Sequence, residues 1–78
     1  MRPEKIEEML MRLRRKREEA VSEAAHARDR LARIASGMTP LEETNAEEVE
    51  GAADDFAGAV RRLRLLDEIL AELRQLLM

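Results

Sequence analysis

The sequence contains no cysteine, which excludes disulfide bonds and metal sites built from thiolates. Phe56 is the one aromatic residue, so the chain lacks the stacking side chains on which single-stranded nucleic acids usually bind. No run of about 18 apolar residues occurs, as a membrane-spanning helix would need, and the opening MRPEKIEEM is too polar for a signal peptide. These absences favour a cytoplasmic protein without membrane contact.

Glycine and proline are also scarce, with three glycines and two prolines in 78 residues. Alanine, leucine, glutamate and arginine, all good helix formers, dominate the rest. The helix breakers cluster in the segment SGMTP, residues 36–40. A chain this short forms one domain at most. We therefore predict a single all-α domain over residues 1–78, with a first helix over about 3–36, a turn over about 37–45 and a second helix over about 46–77.

The turn carries two alternative starts for the second helix. Gly37 suits the position just past a helix end. Thr39 followed by Pro40, with an acid three residues after the threonine, resembles a capping box with proline at the first helical position. Asn45 followed by two glutamates from position 47 is an equally good start. The sequence leaves open whether helix two begins at Pro40 or at Ala46, or whether a short turn of helix precedes the main one.

Apolar residues recur in alternating steps of three and four along both helices, which are the a and d positions of heptad repeats. In helix one this series is Ile6, Leu10, Leu13, Arg17, Ala20, Ala24, Ala27, Leu31, Ile34 and Met38. In helix two it is Val49, Ala52, Phe56, Ala59, Leu63, Leu66, Leu70, Leu73 and Leu77. Two long helices joined by a short turn must pack antiparallel, as a helical hairpin. Arg17 is the polar exception: it either fixes the register of the helices or reaches out of the contact along its apolar stem.

Further apolar residues flank the two series, where an isolated hairpin would leave them in water. A widened apolar stripe is typical of a helix with more than one neighbour. We therefore predict a homodimer of hairpins, that is, a four-helix bundle with coiled-coil packing. The predicted oligomer interface consists of Leu10, Leu13, Arg17, Val21, Ala53, Phe56, Val60, Leu63, Ile69, Leu70, Leu73 and Leu76. The expected partner is a second copy, with another helical protein as the alternative.

Size and charge both differ between the two ends of the hairpin. The end that carries both termini is rich in leucine, and the turn end is rich in alanine. Residues 2–17 hold seven basic and three acidic side chains, whereas residues 39–58 hold seven acidic ones and no basic one. An inverted pair of hairpins would set large against small residues and basic against acidic ends. The pattern favours that orientation.

Seven basic residues form a candidate anion-binding belt, and they are Arg12, Arg14, Arg15, Lys16, Arg61, Arg62 and Arg64. We expect the two groups at nearly the same height on the facing helices, where together they could hold phosphates. A nucleic-acid-binding regulator is therefore the alternative function. The acidic total of −3 and the near absence of aromatic residues weigh against it, and a solvated face that pairs with nearby acids explains the same residues.

Glu23 and His26 have the Glu-x-x-His spacing of ferritin-like metal sites. In the heptad assignment, His26 falls at a position that points to solvent, which favours a histidine in water over a metal ligand. A ferritin-like assembly is the second alternative function. Nucleophilic catalysis has no support, because neither Ser22 nor Ser36 has a base and an orienting acid at a recognisable spacing. We expect no enzyme and no cofactor, but a small protein-binding or adaptor module that self-associates.

Overall fold

The computed structural model describes residues 2–37 and 40–78. Helix α1 spans Pro3–Ala35, a short 3-10 helix spans Leu41–Glu43, and helix α2 spans Ala46–Leu77. Across these described ranges all regular structure is helical, and α1 packs against α2 along its length. The predicted all-α helical hairpin is confirmed. Met38 and Thr39, for which the sequence suggested a seam position and a helix cap, lie outside the described residues.

Helix α1 begins and ends at the signals present in its sequence. Pro3 occupies the start of the helix, where its missing N–H is not needed, and Glu4 lies in the first turn near the positive end of the helix dipole. At the other end the backbone N–H of Ser36 donates to the carbonyl oxygen of Ala32 (2.9 Å). Gly37 then takes a φ of 82°, a left-handed conformation that glycine adopts without strain.

Helix α2 starts at the later of the two predicted sites. The side-chain oxygen of Asn45 accepts a hydrogen bond from the backbone N–H of Glu47 (2.9 Å), which satisfies one of the free donors of the first turn. Before it, the carbonyl oxygen of Pro40 accepts from the backbone N–H of Glu43 (2.9 Å) and from the hydroxyl of Thr44 (3.0 Å). The residues after Pro40 therefore form a separate short turn of helix, and the main helix follows.

The hairpin is a thin rod whose core is a single contact between two helices. Its Cα atoms extend over 58 × 15 × 13 Å. The terminal half holds a cluster of Ile6, Leu10, Leu70 and Leu73, against which Leu13 and Ile69 pack. Among the residues of the turn half whose burial is described, the buried ones are all alanine, namely Ala20, Ala27, Ala52 and Ala59. The eight residues that are buried in the described part of the chain all belong to the two apolar series identified in the sequence, so the hairpin contact lies on the predicted helix faces.

Arg17 interrupts the apolar series but does not enter the core. Its Nε donates to Oδ1 of Asp67 on α2 at 2.5 Å, and its side chain remains 42% exposed. The guanidinium thus leaves the contact sideways and meets an acid at the rim of the hairpin. Of the two alternatives for this residue, the structure supports the outward-reaching one. An ion pair this exposed contributes about 0–1 kcal/mol.

Gly51 offers a test of the helix energetics. A Cβ atom built at Gly51 meets nothing within 4 Å, and the residue lies inside α2. We expect Gly51→Ala to raise the free energy of unfolding by about 0.5–1 kcal/mol, because alanine loses less backbone entropy in a helix. Urea titration followed by circular dichroism at a fixed protein concentration measures the change. Gly37→Ala is the control of opposite sign, since its φ of 82° is strained for alanine; stabilisation by both changes would contradict the argument.

Candidate interaction site

Two sides of the hairpin lie beside the core, and each carries its own ion pairs. We call one the Glu23 flank; it contains residues 9, 16, 23 and 30 of α1 and residues 55, 62, 69 and 76 of α2. On it Arg62 pairs with Glu23, and Nη1 of Arg30 lies 3.4 Å from Oδ2 of Asp55. We call the other the Arg14 flank; it contains residues 14, 21, 28 and 35 of α1 and residues 53, 60, 67 and 74 of α2. The Arg17–Asp67 pair lies on that side.

A groove runs along the Glu23 flank in two adjacent parts. The part nearer the termini has a volume of about 200 Å³, and its walls include Ala20, Leu65 and Leu66. The part nearer the turn has a volume of about 410 Å³, and Ala27 and Gly58 line it together with charged side chains. Glu23 and Arg62 border both parts. This flank therefore combines an apolar wall with a depression above small residues.

The cleft on the Arg14 flank differs in chemistry. It has a volume of about 340 Å³, and the charged side chains of Arg14, Arg17, Glu18, Asp67 and Arg74 line it beside Leu70. The large apolar residue exposed on this flank is Val21, at 41%; Ala53 is exposed and Val60 half-buried. This side is consequently more suited to water and ions than to an apolar partner.

The predicted oligomer interface divides into three groups in the hairpin. Leu10, Leu70 and Leu73 are buried between α1 and α2, and are thus used by the hairpin itself. The half-buried group is Leu13, Arg17, Phe56, Val60, Leu63 and Ile69. The exposed group is Val21, Ala53 and Leu76, with Leu76 at 66%. The second and third groups are the ones with surface left for a partner.

Leu65 is an exposed residue that the sequence analysis did not select. It is 56% exposed and forms part of the groove wall on the Glu23 flank. The signal available in the sequence is its spacing, because Leu65 follows Gly58 by seven residues and precedes Ile69 by four, on the same side of α2. It lies one position outside the apolar flanks that the heptad assignment considers, and for that reason it was missed.

The basic belt is split by the register of the two helices. Because Arg62 pairs with Glu23, it lies at the height of Glu23, which follows Lys16 by seven residues in α1. The heights of Arg62 and Lys16 along the rod therefore differ by about 10 Å. The expectation that both groups of cations lie at one height is therefore wrong. Arg62 is in addition paired with a carboxylate of its own chain. Binding of an anion by these residues stays a prediction.

Glu23 and His26 each have a partner other than a metal. Glu23 accepts from Arg62, and Nδ1 of His26 donates to the carbonyl oxygen of Ser22 at 2.8 Å, the residue one turn earlier in α1. Within residues 2–37 and 40–78, no group of three histidine, aspartate or glutamate side chains is arranged so that it could hold a metal ion. His26 is exposed, as its heptad position predicts. The geometry gives the ferritin-like alternative no further support.

The exposed surface of the rod is large for its mass. The accessible area is 6318 Å², whereas a compact monomer of 8.9 kDa exposes about 4,800 Å². The radius of gyration is 17.4 Å, against about 11–12 Å for a compact domain of this length. Each hairpin thus exposes about 1,500 Å² more than a compact fold would.

Comparison of the chain with protein-family models, with curated proteins and with solved structures gives no match. Neither α1 nor α2 contains an apolar stretch long enough to cross a membrane, as judged over the residues that the structure describes.

Proposed function

We propose that this protein is a non-catalytic cytoplasmic adaptor that self-associates, two hairpins packing in inverted orientation as a four-helix bundle with heptad-type contacts. The observation that carries the proposal is the large exposed surface with apolar side chains beside the hairpin contact. Leu76, Leu65 and Met11 are each more than half exposed. An interface of standard size removes about 800 Å² from each partner, which is less than the excess area of one hairpin. A second copy is therefore large enough to cover what the rod exposes.

Charge supports the inverted orientation. The terminal end has an excess of basic residues and the turn end an excess of acidic ones, with seven acids and no base over residues 39–58. Parallel packing would bring like-charged ends together, whereas inverted packing brings opposite charges together. Exposed ion pairs contribute about 0–1 kcal/mol each. Charge accordingly selects the orientation, while burial of apolar surface provides the affinity.

Packing supports the same orientation. The buried residues of the terminal half are isoleucine and leucine, and those of the turn half are alanine. In an inverted pair each wide, leucine-containing half lies against the narrow half of the other hairpin, so that the cross-section stays nearly constant along the bundle. Two wide halves placed together would leave a gap between the narrow ones.

The mass of the particle in solution tests the proposal. Size-exclusion chromatography with multi-angle light scattering at micromolar concentration is expected to give twice the chain mass of 8.9 kDa. Because the exposed apolar area would be covered, the dimer should persist at moderate salt. A mass of one chain over the whole accessible concentration range would refute self-association.

The orientation can be measured on the same particle because the chain has no cysteine of its own. A spin label on Ser36→Cys marks the turn end, where Ser36 is exposed. Inverted packing places the two labels about 40 Å or more apart, whereas parallel packing places them within about 20 Å. Double electron–electron resonance reads this distance directly. A short distance would overturn the inverted arrangement while leaving the dimer intact.

A further inference from the structure

The Glu23 flank has a projecting side chain and a depression, and both lie on the same side of α2. The projection is Leu65, which is 56% exposed beside Ala20 and Leu66. The depression is the part of the groove floored by Ala27 and Gly58, and a Cβ built at Gly58 meets nothing within 4 Å. Leu65 and Gly58 lie on the same side of the helix, seven residues apart.

These two positions are symmetric about the middle of the helix. Helix α2 spans Ala46–Leu77, so its midpoint falls between Arg61 and Arg62. Gly58 and Leu65 are equally far from that midpoint. A two-fold axis that passes beside α2 at the height of this midpoint, perpendicular to the helix, sets Leu65 of each copy over Gly58 of the other and overlaps the two α2 helices over their full length.

We infer that the second copy docks on the Glu23 flank, with Leu65 of each hairpin inserted into the depression above Gly58 of the other. This inference rests on the proposed self-association and specifies its face and register. It inverts one hairpin relative to the other, as the end charges require. It also covers Leu65, Ile69 and Leu76, three of the large apolar residues of this side.

One pair of opposite charges favours this register. The Glu23–Arg62 and Arg30–Asp55 pairs define the relative height of the two helices, and by this register Lys16 lies beside Ile69. The two-fold operation brings Asp54 of the second copy opposite Ile69, and thus close to Lys16. Opposite charges there favour the pairing by about 0–1 kcal/mol per pair.

The Arg14 flank is a less favourable surface for a second copy. Five charged side chains line its cleft, and an apolar partner would remove them from water without new hydrogen bonds. Its exposed apolar side chains are smaller, with Val21 at 41% as the large one. The two flanks therefore give matched positions for a test.

Leu65→Glu and Val21→Glu place the same charge on the two flanks. We expect Leu65→Glu to raise the dimer dissociation constant at least about 100-fold, because two leucine side chains per dimer lose their burial and two carboxylates are desolvated. Val21→Glu is expected to change it less than about threefold. Sedimentation equilibrium measures the constants, and circular dichroism at 222 nm checks that both variants keep their helix content.

Gly58→Leu provides a second variant that acts from the other side of the contact. A Cβ atom at this position meets nothing within 4 Å in the single hairpin, and the rest of the leucine side chain is expected to fill the depression that Leu65 of the second copy needs. It should weaken the dimer as strongly as Leu65→Glu does. Ala57→Leu, at an exposed neighbouring position, is the control and should leave the dissociation constant nearly unchanged.

The outcomes separate the two claims. A dimeric wild type that Leu65→Glu and Gly58→Leu dissociate supports the inference. A dimeric wild type that only Val21→Glu dissociates overturns the choice of face but leaves self-association standing. A monomeric wild type overturns the proposed function and the inference with it.

Discussion

Replacement of Leu70 by alanine is expected to lower the free energy of unfolding by about 3–4 kcal/mol. Leu70 is 2% exposed and is the largest fully buried side chain of the hairpin. It packs in a cluster of large apolar residues, together with Ile6, Leu10 and Leu73. A thin rod has few neighbours that can move in to fill the space, so most of the cavity should remain. For a chain of this length the total stability is about 4–12 kcal/mol.

Leu77→Ala is the matched control for Leu70→Ala. It removes the same atoms from the same helix, but Leu77 is 40% exposed in the last turn. We expect a loss below about 1 kcal/mol, since little apolar surface returns to water. Urea titration of both variants at one protein concentration gives the comparison, because association would otherwise shift the midpoints. Equal losses would show that the leucine cluster is not where the stability of the hairpin resides.

Periodicity sufficed to predict which face of each helix is buried. The eight buried residues all fall in the two apolar series, because a helix that packs against one neighbour must place its apolar residues every three to four positions. The apolar series does not show where the contact between the two helices ends. Leu77 continues it in spacing but is 40% exposed, because α2 ends there and helix termini have fewer neighbours.

The relative height of the two helices along the rod could not be predicted from the sequence. It depends on the path of the connection, on how far the short helix after Pro40 advances the chain, and on which side chains interlock. None of these appears in the periodicity of either helix alone. The structure fixes the height through pairs such as Arg62 with Glu23, and this is why the basic residues expected at one height form two groups.

Leu65 was missed for a related reason. A heptad assignment selects the positions at the predicted contact and those directly beside it. Leu65 lies one position further out, where side chains usually face solvent. The contact inferred for Leu65 depends on the groove beside it, which is lined by the small residues Ala20, Ala27 and Gly58. Only the three-dimensional arrangement shows that an exposed leucine and an empty depression occur on one side of the same helix.

The turn half of the hairpin depends on a dry contact between alanine residues. Ala52 and Ala59 are both 0% exposed, and the residues of α1 that are buried in this half, Ala20 and Ala27, are alanine as well. Such a contact buries little apolar area, so it tolerates no group that needs water. We expect Ala59→Asp to lower the free energy of unfolding by about 3 kcal/mol or more, because a short carboxylate there cannot reach solvent and gains no partner.

Ala57→Asp separates the effect of burial from that of helix propensity. Both changes replace alanine by aspartate inside α2 and carry the same propensity cost of about 0.5–0.7 kcal/mol, but Ala57 is exposed. Its expected loss is therefore below about 1 kcal/mol. In Ala59→Asp, amide hydrogen exchange should speed up first over residues 46–60, while the leucine cluster around Leu70 keeps its protection. Similar losses in both variants would mean that the alanine contact opens readily in water, in which case the turn half would be held together by the second hairpin rather than by its own two helices.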